Sequence, residues 1–132
     1  MKALRVCCYL LLCVYWITLV GCNKAVSVQR IQVTNCIASP DPLSVHDNDQ
    51  VIWITDVDYQ ITFSPTSAPS GPTVPVTTNP FTVRTGTTVP QTIHGPFNCS
   101  TAGCYYKYSL TRISNGVPAS LPCVDPGIRI LP

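Results

Sequence analysis

The sequence predicts an all-β domain, a sandwich of about seven short strands behind an N-terminal export segment. Three observations point there. Apolar and polar residues alternate with a period of two in "YQITF" (59–63), "YKYSLT" (106–111) and "IRI" (128–130). Pro, Gly, Asn and Asp recur between these runs. No helical periodicity of useful length follows Cys22.

The elements follow in order. Residues 1–21 begin with Lys2 and Arg5, continue through an uncharged apolar run (VCCYLLLCVYWITLV, 6–20) and end on Gly21, the layout of a helical secretory signal peptide. The run is shorter than the roughly 20 residues a helix needs to span the bilayer core. Its end, Leu19-Val20-Gly21-Cys22, resembles the lipobox of bacterial lipoproteins. That resemblance implies cleavage before Cys22, acylation of its thiol and usually of the new amine, and a short lipidated tether over 22–25. Two or more acyl chains hold a protein stably on a membrane, whereas one holds it marginally. The resemblance also implies a cell-envelope location facing the periplasm or exterior. Asn23, in place of the aspartate that favours inner-membrane retention, points to the outer membrane in a Gram-negative envelope.

Cysteine counting agrees. Of the eight cysteines, Cys7, Cys8 and Cys13 fall in the discarded segment, leaving Cys22, Cys36, Cys99, Cys104 and Cys123. An odd count in an exported protein asks for one cysteine with another task, and lipidation of Cys22 leaves four to pair in an oxidising compartment. Charge divides the same way. All six acidic residues lie after Cys22, so losing Lys2 and Arg5 takes the net charge from +2 to zero. Nothing resembles the basic footprint of a nucleic-acid binder.

Residues 26–132 read as one domain. Residues 26–33 form a β-branched first strand. Leu43, Val45 and then "VIWI" (51–54) form a second segment, interrupted by Asp47-Asn48-Asp49. Residues 59–63 are a half-buried strand, Phe81 and Val83 a short one, 87–93 one broken by Pro90, and 106–111 and 128–130 complete the set. Residues 64–80 (SPTSAPSGPTVPVTTNP) hold five prolines, which cannot donate to a sheet ladder, so they form a loop. It is read as a mobile connection rather than a binding loop.

The succession "DNDQVIWIT", "DYQITFSP", "NPFTVRTG", "HGPFNC", "CYYKYSLT" and "DPGIRILP" is similar to cupredoxin-like domains. It implies a Greek-key β-sandwich over 26–132. A blue-copper site takes two imidazoles, a thiolate and a weak axial ligand. In the family's pattern the first histidine falls near Asp58 or Tyr59 and the thiolate near Leu110 or Ser109, and no such ligand stands at any of them. The copper site is absent from the sequence, and neither a metal nor another cofactor is expected.

Three pairings of four cysteines are possible. Cys99 and Cys104 flank a four-residue loop containing Gly103, and are expected to bond. The cupredoxin-like order brings the first and last strands near each other, which implies Cys36 with Cys123.

The other polar candidates have local readings. Asp47-Asn48-Asp49, after His46, is the kind of oxygen set a hard cation takes, but between apolar segments it is read as a turn. His94 is read as a loop residue, and Asp56 and Asp58 as one exposed face of a strand or bend. Tyr106 and Tyr108 are core candidates, while Tyr105 offers a sugar-stacking surface. No catalytic fingerprint occurs. The expectation is a monomeric, non-enzymatic binding or structural module, tethered to a lipid membrane through Cys22, with an unspecified envelope partner. The alternative is a metal-handling or redox protein of cupredoxin descent.

Overall fold

The computed structural model describes residues 25–65, 72–120, 122–123 and 125–132. The expected signal peptide over 1–21 and Cys22 lie outside the described residues. Ten strands are present among the described residues: β1 (Val28–Thr34), β2 (Ile37–Ser39), β3 (Leu43–Val45), β4 (Gln50–Thr55), β5 (Tyr59–Phe63), β6 (Phe81–Val83), β7 (Gln91–Thr92), β8 (Cys104–Ser114), β9 (Val117–Pro118) and β10 (Gly127–Ile130). There is no helix among them. They form two mixed sheets, one ordered β2-β1-β4-β7 and one ordered β3-β10-β8-β5-β6, with β9 paired to β8. The pairs β1·β4 and β3·β10 are parallel, and the other pairs are antiparallel.

Alternation along the strands builds the core. In the first sheet Ile31, Val33, Val51 and Trp53 are fully buried, and in the second so are Tyr59, Ile61, Phe63, Tyr106, Tyr108 and Leu110. Trp53 is the centrepiece. Its indole meets Phe81, Tyr108 and Phe63 edge-on at centroid distances of 5.3, 5.9 and 6.4 Å, the arrangement that ring quadrupoles prefer. The Trp53 Nε1 and the Tyr108 hydroxyl are both buried without a hydrogen-bond partner. Burial raises the Tyr108 phenol pKa far above its ordinary value.

The strand map departs from the sequence expectation in several places. The first strand begins at Val28 rather than residue 26, because Val26 precedes the ladder with β4 and is exposed. The expected second segment, 43–54, is two strands: β3 joins one sheet and β4 the other. Asp47-Asn48-Asp49 is therefore a crossing between sheets, with Asn48 at a positive φ of 68°. Of the broken run 87–93, only Gln91–Thr92 pairs as a strand.

Two short strands were not expected, and both close tight turns. Thr34 pairs with Ile37 across Asn35 and Cys36, whose φ values are 50° and 68°. Ser114 pairs with Val117 across Asn115 and Gly116, at 53° and 77°. Two successive positive φ angles mark the hairpin turn whose twist matches the flanking strands.

Candidate functional site

The parallel pairs give the sandwich two distinct ends. At one, residues 25–27 lead into β1 beside the start of β4, and Leu131 N–H donates to Val45 O at 2.7 Å. At the opposite end lie the β1–β2 turn, the β4–β5 bend, the residues after β6 and the β8–β9 hairpin.

The positions expected for copper ligands lie at or toward this opposite end. Tyr59 opens β5 opposite Arg112 and is fully buried. Its phenol oxygen accepts the Cys36 backbone N–H at 3.1 Å, and its hydroxyl donates to Cys36 Sγ at 3.9 Å. Cys36 is bonded to Cys123, so an aromatic side chain and a disulfide take up the room beside Tyr59. Leu110 points into the core as the partner of Ile61, while Ser109 faces outward and its hydroxyl donates to Thr62 O at 3.4 Å.

Asp56 lies in the bend after β4, as one of the two expected placements had it, and Asp58 follows it just before β5; their carboxylates fasten neighbouring chain. Asp56 Oδ2 accepts Asn35 N–H at 2.7 Å and its Oδ1 accepts Val57 N–H at 3.0 Å. Asp58 Oδ1 accepts Thr85 N–H at 2.8 Å. The Asn35 N–H is the main reason the Asp56 carboxyl sits below the usual range, against some desolvation. These contacts brace three loops against one another with donors and acceptors already engaged.

The histidines lie toward the other end. Asp49, expected in an ordinary turn, is 3% exposed and joins two segments. Its Oδ1 accepts Ser27 N–H at 3.2 Å and its Oδ2 accepts His46 N–H at 2.8 Å, with His46 Nδ1 3.7 Å away. Burial of a carboxylate is tolerated here because backbone donors satisfy it. Asp47 Oδ1 accepts Gly95 N–H at 2.7 Å, and a Cβ on Gly95 would lie 2.9 Å from that carboxylate, so a larger residue there would displace the Asp47 side chain. His94 is exposed and gives its backbone N–H to Pro75 O at 2.9 Å. Among the described residues, no three His, Cys, Asp or Glu side chains come together as a metal site.

The proline-rich loop is more firmly held than expected over 72–80. Pro75 and Val76 are buried. Asn79 mimics a neighbouring strand, its Oδ1 accepting Phe63 N–H at 2.7 Å and its Nδ2 donating to Phe63 O at 3.0 Å. Tyr106 Oη donates to Pro72 O at 3.0 Å. These attachments tie residues 72–80 to β5 and β8. Residues 66–71 lie outside the described residues.

Cys99 and Cys104 form the second disulfide, with Cα atoms 5.1 Å apart. Tyr106 and Tyr108 are buried, and Tyr105 is 43% exposed on the outer face of the second sheet. Sequence reasoning missed the structural work of Tyr59 and Asn79. A tyrosine opening an alternating strand looks like any core residue, and an asparagine before proline looks like any turn. Neither a protein-family model nor a characterised protein matches this chain.

Proposed function

We propose that this chain is a lipid-anchored lipoprotein of the cell envelope whose β-sandwich serves as a non-enzymatic binding or structural module. The observation that carries the reading is the use of its cysteines. Cys36 is bonded to Cys123 and Cys99 to Cys104, so the four cysteines of the domain satisfy one another and none of them requires Cys22. That leaves its thiol for the acyl chain that Leu19-Val20-Gly21-Cys22 suggests. A tether ending at residue 25 would hold the Asp49 end near the bilayer and turn the Tyr59 end outward. The test is Cys22→Ser. The protein should move from the membrane fraction to the soluble fraction with both disulfides intact. Continued membrane association, or loss of either disulfide, would overturn the reading.

The alternative is a metal-handling or redox protein of cupredoxin descent. The strand order supports a cupredoxin-like Greek key: the chain changes sheets between β2 and β3, and first and later strands pair in parallel within each sheet. A sandwich keeps its core without its metal, and fold does not determine function. Copper titration of the purified protein separates the two readings, since tight binding at one site would favour this alternative.

A further inference from the structure

The outer face of the second sheet carries a group of residues that the cross-bracing of the loops does not use. On β8 and β10 the outward positions are Tyr105, Lys107, Ser109, Gly127 and Arg129, with Tyr105 opposite Arg129 and Lys107 opposite Gly127. Tyr105 leans diagonally across the ladder onto Gly127, so closely that a Cβ there would collide with its ring and hydroxyl. The glycine thus lets the tyrosine lie down along the sheet. The ring stays 43% exposed, and the exposed Lys107 and Arg129 flank it.

The strands on either side add Ser, Thr and Gln at their outward positions and no acid. The neighbouring Asp41 lies before β3, where one carboxylate oxygen accepts Gly127 N–H at 2.9 Å. Asp125 precedes β10 and is exposed. The face is therefore polar, with Lys107 and Arg129 beside one exposed aromatic ring and the Asp41 carboxylate engaged by Gly127 N–H at its margin.

We infer that this face binds an acidic polysaccharide, a sugar ring stacking on Tyr105 while Lys107 and Arg129 take its carboxylates. An exposed aromatic face suits the apolar C–H side of a pyranose, and a guanidinium matches a carboxylate in shape and charge. Single-stranded nucleic acid also uses stacking beside cations. It needs a longer basic track than two residues, in a chain with only six basic residues after Cys22. The inference names a partner class for the module proposed above but does not depend on Cys22, so loss of anchoring and loss of binding are separate results.

The alternative role of Tyr105 is simply to cover Gly127. Calorimetric titration of the purified chain with polygalacturonate, neutral dextran and a single-stranded oligonucleotide distinguishes the two. Tyr105→Leu keeps an apolar cover over the glycine but removes the flat ring, and should weaken polygalacturonate binding about tenfold. Tyr105→Phe should retain most of it. Lys107→Gln and Arg129→Gln should each weaken it roughly three- to tenfold and reduce its salt dependence. Thermal melts establish that each variant is folded. The inference is overturned if polygalacturonate does not bind the unmodified chain, if Tyr105→Leu binds as well as the unmodified chain, or if dextran or the oligonucleotide binds equally tightly.

Discussion

Tyr59 and Cys36, separated by 23 residues in sequence, are joined through two groups: the Cys36 backbone N–H donates to the Tyr59 oxygen at 3.1 Å, and the Tyr59 hydroxyl donates to the Cys36 sulfur at 3.9 Å. The phenol fastens the disulfide-bearing turn to the start of β5. Tyr59→Phe keeps the ring but leaves the Cys36 N–H without its acceptor, at a cost of about 1–3 kcal/mol. Urea denaturation of the oxidised protein should show a lower midpoint with an unchanged slope.

Asn79 holds both the donor and the acceptor of Phe63. Asn79→Ala should cost about 2 kcal/mol by removing both bonds. Asn79→Asp should also destabilise, because it turns a carboxylate oxygen toward the Phe63 carbonyl. Hydrogen exchange at the Phe63 amide is the local readout, and protection there should fall in both variants.

The two disulfides close chain segments of very different length, with sequence separations of 87 and 5. In the chain-entropy model the longer closure stabilises by roughly 4–5 kcal/mol and the shorter by roughly 2. Cys36→Ser with Cys123→Ser should therefore lower the melting temperature more than Cys99→Ser with Cys104→Ser. Equal losses would show that the denatured chain is compact enough to remove the length dependence.

Asp56 gives the stability curve an acid limb. Its carboxyl is held below the ordinary value in the folded protein, chiefly by the Asn35 N–H, so folding favours its charged form. The resulting stabilisation is present above the unfolded pKa and is lost as pH falls through the folded one. Melting temperatures followed downward from pH 5 should decline more steeply in the unmodified protein than in Asp56→Asn.

Tyr108 tests the core in the other direction. Its hydroxyl is buried without a partner beside the similarly placed Trp53 Nε1. Tyr108→Phe removes a desolvated polar group while preserving the ring contacts, and should leave stability unchanged or raise it by about 1 kcal/mol. Trp53→Ala, which empties the centre of the aromatic cluster, should cost about 3–5 kcal/mol. Thermal denaturation of the two variants compares them directly.

Strands such as β5, β8 and β10 were legible because one face of each is buried, which writes a period of two into the residues. The division of 43–54 was not legible. Leu43, Val45 and Val51 are apolar in the same way whichever sheet receives them. The Asn115-Gly116 pair carries a hairpin signal in its composition, whereas Asn35-Cys36 does not, and the three-residue β2 after it is too short to show a pattern. At the candidate sites, Tyr105 announced an exposed ring by its place in the alternation. Gly127, Lys107 and Arg129 become its neighbours only through the register of β8 against β10.

By itself the sequence determined the all-β class and the inward identity of Tyr106 and Tyr108, because residue type and local alternation suffice for each, whereas Trp53 stands in the unbroken apolar run 51–54 and shows no face. Only the tertiary structure decided which sheet each short strand joins, that Asp49 at the end of the expected turn is buried and also holds Ser27, and that residues 72–80 are tied to the sandwich. Those outcomes depend on partners distant in the chain: Ser27 for Asp49, Phe63 for Asn79 and Cys36 for Tyr59. Local composition fixes what a residue needs, and packing alone supplies the group that meets the need.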